Sequence, residues 1–149
     1  FAAPNARAMG AEVVVVFDPA LAGEMLFLRK QSMQLASKMR YLAAQFLALG
    51  ENGLWLENAR HANAMAQRLA AGVRTIAGVE ITQPVQASAV FAVLPRAVTE
   101  RLQQTFHFYF WNHSPHEVRW MTSWATSESD VDELVAAVRA AMADDAGAA

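Results

Sequence analysis

The run of residues at positions 13–17, Val-Val-Val-Val-Phe, most constrains how this chain folds. A continuous β-branched run of this length is typical of a strand buried on both faces of a parallel sheet. Such a strand needs neighbouring strands on both sides and further layers above and below it. The rest of residues 1–71 shows only helical periodicity, over about 27–49 and 54–71, and one strand cannot make a sheet. We therefore expect residues 1–71 to be the end of a larger domain.

Residues 72–149 have a different pattern, which predicts a small second domain. The order of elements is strand, strand, helix, strand, strand, helix, and the last helix begins at a capping box formed by Ser127 and Asp130. The predicted strands are 79–81, 89–94, 106–111 and 117–124, and the predicted helix between them is 97–104. This order favours a mostly antiparallel sheet with helices packed on it, so the fold class is α/β with an α+β small domain.

Charge and composition exclude several classes of function. The formal net charge is −2, which argues against nucleic acid as a partner, and the absence of cysteine excludes disulfides and thiolate metal sites. No apolar run approaches the ~20 residues of a membrane span, so we expect no membrane partner and a cytoplasmic location. His113 and His116 flank a turn containing proline, where solvated loop histidines are favoured over a metal site.

Basic side chains are concentrated at two positions of the helix predicted over 27–49. Arg29-Lys30 and Ser37-Lys38-Met39-Arg40 would lie about two turns apart on that helix. Such a cluster is either a solvated helix face or a site for a phosphate or carboxylate, in which hydroxyl and ammonium donors act together.

Arg119 is the other notable charge, because it lies between Val118 and Trp120 in an otherwise uncharged part of a strand. An arginine there either pairs with an acidic side chain or binds a ligand carboxylate through its planar fork of N–H donors. The sequence leaves both possibilities open.

Five segments together resemble the threonine aldolase family, and they follow the family order across almost the whole chain. They read AMGAEVVVVFDPALA, RKQSMQLASKMRYLAAQFLAL, LWLENARHANAMAQRLAAG, ASAVFAVLP and VRWMTSWATSESDVDELV. The resemblance implies a fold-type I pyridoxal-phosphate enzyme, a lyase that cleaves L-threonine or L-allo-threonine to glycine and acetaldehyde. It also implies that residues 1–71 are the end of the large domain, that 72–149 are the small C-terminal domain, and that about 200 preceding residues are missing.

The resemblance assigns the cofactor lysine to a position that holds asparagine here. In the family the loop before AMGAE typically reads like F-G-G-T-K-N-G, and its lysine forms a Schiff base with the cofactor. Aligned without gaps, this chain places Pro4 at the threonine, Asn5 at the lysine and Arg7 at the glycine. An amide nitrogen does not form an imine, because its lone pair is delocalised into the carbonyl. We therefore expect no covalently bound pyridoxal phosphate and no catalytic residue in this chain.

Other positions match functional residues of the family. By resemblance, Arg119 would bind the carboxylate of a 3-hydroxy amino acid, and Ser37 and Lys38 would reach the cofactor phosphate, often that of a neighbouring subunit. The resemblance thus implies a small-molecule substrate and a homo-oligomer.

Three hypotheses about the function follow from the sequence. The first is the C-terminal portion of an aldolase-type lyase that is inactive alone. The second is a degenerate, non-catalytic relative that retains only packing and self-association. The third is a small interaction domain, which would need an acidic partner within reach of Arg119. A separated large-domain strand should also leave residues 13–17 and the apolar face of 28–49 exposed.

Overall fold

The computed structural model describes residues 7–113 and 116–148. The chain divides into two compact units between Asn58 and Ala59. The domain boundary expected from the resemblance, between residues 71 and 72, concerns the domains of a longer protein and stays a prediction. Pro4 and Asn5 lie outside the described residues.

The first unit consists of helices and irregular chain. Its elements are α1 (Pro19–Ala22), α2 (Met25–Gln31), α3 (Met39–Gly50), a 3₁₀ turn (Glu51–Gly53) and the start of α4 (Leu54–Val73). Two residues, Ala11 and Leu49, form its small buried cluster, with Ala8, Phe46 and Leu54 packed around them. The side-chain oxygen of Gln45 accepts hydrogen bonds from the backbone N–H groups of Met9 (2.9 Å) and Gly10 (3.3 Å).

The strand predicted over residues 13–17 is wrong, because these residues have no regular strand structure. Val14 is 79% exposed and Phe17 is 92% exposed. A strand is stabilised by hydrogen bonds to its neighbours, and no strand of the described residues lies beside this run. The exposure of these side chains and of Leu28 and Leu35 confirms part of the expected uncovered apolar surface, but the end of the 28–49 face is covered, because Leu49 is buried and Phe46 packs against it.

The single helix predicted over about 27–49 is also wrong, because it is two helices. Helix α2 ends at Gln31 and α3 begins at Met39, with Ser32 capping α2. Met33 has a φ of 56°, a left-handed conformation that an α-helix does not accommodate. The apolar spacing continues through the break, and spacing alone does not reveal such a residue.

The second unit is a sheet covered on one face by helices. Its elements are β1 (Glu80–Ile81), β2 (Ala89–Val93), α5 (Arg96–Leu102), β3 (Tyr109–His113), β4 (His116–Met121) and α6 (Glu128–Ala148). Within the described residues the strands form one antiparallel sheet in the order β1-β2-β4-β3. The predicted element order and fold class of this part are confirmed, although β3 begins three residues later than the predicted strand and β4 ends earlier.

The core of the second unit lies between the sheet and its helices. Side chains from α4, α5 and α6 meet the inward residues of β2 and β4, among them Leu69, Val98, Val138, Val90 and Val118. Helix α4 runs through Gly72, where the sequence placed its end. An added Cβ at Gly72 would come within 2.7 Å of the Val135 side chain, so glycine permits close contact between α4 and α6.

The predicted capping box of the last helix is confirmed. The Ser127 hydroxyl accepts from the Asp130 backbone N–H (3.1 Å), and the Asp130 carboxylate accepts from the Ser127 N–H (2.8 Å). Hydrogen bonding from Ser127, from its backbone N–H first and its side chain second, holds the pKa of the Asp130 carboxyl below its ordinary value. The capping box fixes the residue at which α6 begins.

Candidate functional site

The face of the sheet opposite the helices carries the charged residue singled out from the sequence. Val118 and Trp120 point into the core, so Arg119 between them points to the other face. In the sheet register Arg119 lies opposite Phe91 of β2 on one side and opposite Tyr109 of β3 on the other. The sheet thus places one arginine among aromatic side chains on a face that the helices leave open.

The guanidinium of Arg119 lies over the indole ring of Trp111, with 4.6 Å from Cζ to the ring centroid. The Trp111 ring meets Phe91 edge to face, at 5.4 Å between centroids and an interplanar angle of 69°. An arginine over a tryptophan face is attracted by the ring quadrupole, and tryptophan is the strongest of the aromatic partners. Three side chains from three strands therefore form one cluster.

Trp111 lies at a β-bulge in β3. Phe110 pairs with Val118 and Asn112 pairs with Glu117, so Trp111 is the extra residue between two regular pairs. A bulge bends its strand and changes the direction of the extra side chain, and such irregularities are frequent beside active sites. Trp111 remains 53% exposed, which leaves the cluster open to solvent.

The two possibilities for Arg119 can now be compared. Among residues 7–113 and 116–148, no acidic side chain forms an ion pair with Arg119 and no acceptor takes a hydrogen bond from its guanidinium. Glu117, two residues earlier on the same face, is buried and accepts a hydrogen bond from the Thr82 hydroxyl. Within the described part of the chain, Arg119 lies against the Trp111 ring and its N–H donors make no hydrogen bond. This arrangement suits the binding of a ligand carboxylate.

Ser37 and Lys38 lie in the segment between α2 and α3, both exposed, and Lys38 is the residue at which α3 is capped. The prediction that these residues share one helix with Arg29 and Lys30 is therefore wrong. The backbone N–H groups of the first turn of a helix favour an anion, so the local geometry suits a phosphate as well as it suits solvent.

Arg29 is held against the segment that follows its helix. Its Nη2 lies 3.0 Å from the sulfur of Met39, and its Nε donates to the carbonyl of Gln34 at 3.3 Å. Because these contacts occupy Arg29, the anion-binding cluster expected from the sequence reduces to the exposed donors of the segment itself.

The backbone of Arg7 bears on the position of Asn5. Arg7 has a φ of 86°, a conformation that glycine adopts readily and other residues rarely do. The gap-free comparison places the glycine of the family loop at this residue, so the conformation agrees with that alignment. Asn5, two residues earlier, lies outside the described residues.

The remaining candidates do not gather into a site. His113 and His116 pair at the end of β3 and β4, and within the described residues no three histidine, aspartate or glutamate side chains gather as a metal site requires. The His107 ring nitrogen is 2.9 Å from the Tyr109 hydroxyl, in an exposed pair. No helix among the described residues is long and apolar enough to cross a membrane.

Sequence reasoning missed Trp111 and Phe91. The antiparallel pairing of the strands would have placed Phe91 near Arg119 once the register was known. Trp111 follows Tyr109 by two residues and shares its face of β3, but the apolar pattern does not show which strand lies beside β3.

Comparison with known proteins gives the same family as the sequence resemblance. No protein-family model matches the chain. A low specificity L-threonine aldolase from a Pseudomonas species is 40% identical over 138 residues, which are 93% of this chain and 40% of that protein. The chain thus spans about two-fifths of the length of this curated relative.

Solved structures support the fold. A threonine aldolase from Leishmania major superposes with a TM-score of 0.74 at 27% identity, covering 85% of this chain and 38% of that one. The aminotransferase TlmJ from Streptoalloteichus hindustanus, at 16% identity and a TM-score of 0.54 over 70% of this chain and 35% of its own, shares the fold alone. The fold is therefore that of part of a fold-type I pyridoxal-phosphate enzyme, and the chain is similar to threonine aldolases over most of its length.

Proposed function

We propose that this chain supplies the substrate-carboxylate site of a threonine aldolase-like lyase, and that Arg119 binds the carboxylate of a 3-hydroxy amino acid. The observation that carries the proposal is the guanidinium of Arg119, half-buried on the open face of the sheet, supported by Trp111 and without an acidic partner among the described residues. An unpaired arginine in that position is suited to a planar anion.

Arg119 would act by orienting the substrate. Two parallel N–H···O hydrogen bonds to a carboxylate fix the plane of that group as well as its position, which a lysine ammonium does not do. Because the arginine stands on a strand of a hydrogen-bonded sheet, its backbone is held on both sides. The carboxylate of the amino acid would thus be held at a defined point relative to the sheet.

The residues present fit only one end of the cofactor that the family uses. Ser37 and Lys38 at the start of α3 would hold the phosphate of pyridoxal phosphate, which supplies an electron sink when it is bound. Asn5 at the lysine position does not fit covalent attachment, and the only lysines of the chain are Lys30 and Lys38. We therefore propose that the chain alone does not cleave L-threonine.

Binding of a carboxylate ligand tests the first part of the proposal. L-threonine is titrated into the chain and into an Arg119→Ala variant by isothermal calorimetry, with L-threoninol, which lacks the carboxylate, as the matched ligand. We expect weak binding of L-threonine that Arg119→Ala abolishes, and no binding of L-threoninol. Equal binding by the variant would contradict the proposal.

A second candidate function is that of a non-catalytic relative, and the three changes at Pro4, Asn5 and Arg7 favour it. The test is the absorbance spectrum of the chain with added pyridoxal phosphate, followed by borohydride reduction and mass analysis. We expect no band of a lysine-bound cofactor and no stoichiometric adduct. An adduct that disappears in Lys30→Arg or Lys38→Arg would show that another lysine has replaced the missing one.

We also propose that the chain self-associates as a homo-oligomer. The exposed apolar side chains of the first unit support this, with Phe17, Leu26, Phe27 and Leu28 among them. Light scattering behind a sizing column over a range of concentrations should show species larger than the 16.3 kDa chain. A monomer at every concentration would contradict the proposal.

A further inference from the structure

We infer that Trp111 is a positioning residue for Arg119, and that it holds the guanidinium in the orientation that receives a carboxylate. The inference deepens the proposed function and rests on it. It goes beyond it by assigning a role to a residue that neither the sequence pattern nor the family motif around Arg119 singles out.

The first step of the argument concerns the freedom of the arginine side chain. An arginine loses considerable rotamer entropy when it is fixed, and an exposed one occupies many conformations. Within the described residues no carboxylate or carbonyl fixes the Arg119 guanidinium. Its contact with the Trp111 ring, at 4.6 Å, is therefore the interaction that selects its orientation.

The second step concerns the geometry that this contact leaves. In a stacked contact the guanidinium presents its face to the ring, and its N–H donors lie in its plane and point outward. A salt bridge to an acidic residue would instead occupy those donors. Support by Trp111 therefore orders the group while its fork stays available.

The third step concerns what holds the tryptophan. Phe91 meets the Trp111 ring edge to face from β2, on the far side of β4 from β3. The bulge between Phe110 and Asn112 supplies the extra residue in β3. The contact with Phe91 and the position of Trp111 two residues after Tyr109, the partner of Arg119, thus hold the indole beside the arginine of β4.

Nuclear magnetic resonance of the whole chain tests this inference. The Nε–Hε signal of Arg119 is assigned by its loss in Arg119→Lys. We expect an upfield ring-current shift of this signal, which Trp111→Leu removes and Trp111→Phe largely keeps. Tyr109→Leu is the matched control, because Tyr109 is another exposed aromatic of β3 opposite Arg119 whose ring contacts His107.

The same signal is then followed during addition of L-threonine. We expect Trp111→Leu to raise the apparent Kd about two- to fivefold, which is the cation–π contribution of an exposed pair converted at about 1.4 kcal/mol per tenfold. Trp111→Phe should stay within about twofold of the unmodified chain, and Tyr109→Leu should leave the Kd unchanged. An unchanged amide spectrum of the core residues shows that each variant is folded.

The outcomes separate the inference from the function on which it rests. If the chain binds L-threonine through Arg119 but Trp111→Leu alters neither the shift nor the Kd, Trp111 is no positioning residue and the inference is wrong. If L-threonine does not move the Arg119 signal of the unmodified chain, the proposed function is wrong and the positioning role fails with it. A lost shift together with a raised Kd supports both.

Discussion

The two units of this chain have similar proportions of helix-forming sequence but differ in what they bury. The second unit has a continuous core of side chains from three helices and a sheet, whereas the first buries only Ala11 and Leu49 among its described apolar residues. An apolar pattern in the sequence shows which residues need to be covered, but it does not show what covers them. We therefore expect the residues after Asn58 to contribute most of the stability of the folded chain.

The largest expected effect comes from paired leucine substitutions, one in each unit. Leu69 is 2% exposed in the core, and Leu69→Ala should lower the free energy of unfolding by about 2–5 kcal/mol because it leaves a cavity. Leu47 is 69% exposed, and Leu47→Ala should change it by less than about 0.5 kcal/mol. Urea denaturation measures both, and equal losses would refute the contrast between the units.

A buried hydroxyl of the second unit sharpens the comparison. Thr122 donates to the carbonyl of Ala62 at 2.7 Å and joins the end of β4 to α4. Thr122→Val keeps the shape but removes the donor, so the free energy of unfolding should fall by about 1–2 kcal/mol. Thr105→Val, at an exposed threonine, is the control and should have little effect in the same denaturation experiment. A loss no larger than that of the control would show that this hydrogen bond contributes nothing.

The first unit offers a change in the opposite direction. Arg7 has a φ of 86°, so Arg7→Gly should relieve backbone strain of about 1 kcal/mol, reduced by the greater freedom of glycine in the unfolded chain. Hydrogen exchange of the Met9 and Gly10 amides, which bond to Gln45, should slow about two- to fivefold. Faster exchange would show that Arg7 stabilises this segment through its side chain.

The smallest expected effect is a dependence of stability on pH, which arises from an ion pair in the second unit. A hydrogen bond from the Arg68 side chain holds the pKa of Asp132 below the ordinary value of 3.8. The charged carboxylate therefore stabilises the folded chain fully above pH 3.8, and that contribution is lost as the pH falls through the lower folded value. Asp132→Asn should be slightly less stable at pH 7, because the pair is exposed.

Thermal unfolding of the two proteins at several pH values measures this effect. The difference between the unmodified chain and Asp132→Asn should shrink as the pH falls below about 4, where the carboxylate becomes protonated. A difference that grows in acid would contradict the assigned direction.

The sequence predicted the second unit better than the first, for a physical reason. The alternation of Val118, Arg119 and Trp120 and the cap at Ser127 depend on residues that are close along the chain, and both appear in the structure. The run at 13–17 depends on strands that the described residues do not contain, so its β-branched character does not produce a strand. The left-handed Met33 divides a helix whose apolar spacing continues, and spacing does not report backbone conformation.

The candidate site was predictable in part. The sequence identifies Arg119, because a charged residue in an apolar strand needs a partner or a ligand. The family resemblance supplies a ligand, the substrate carboxylate. Trp111 is not found, because its place beside Arg119 depends on the pairing of β3 with β4, which no local sequence pattern shows. The sequence identified Ser37 and Lys38 as hydrogen-bond donors for an anion. It predicted them within a helix, whereas they lie in the segment between α2 and α3.

The bulge in β3 affects whether this edge of the sheet pairs with another polypeptide. β3 is an edge strand of the sheet, and an edge strand presents backbone groups with which a second polypeptide can pair. The extra residue bends the strand and interrupts the even spacing that such pairing needs. Removing one residue from β3 would therefore straighten the edge and make fibrous aggregation easier. The residue that contacts Arg119 thus also helps to prevent this edge from pairing with another polypeptide.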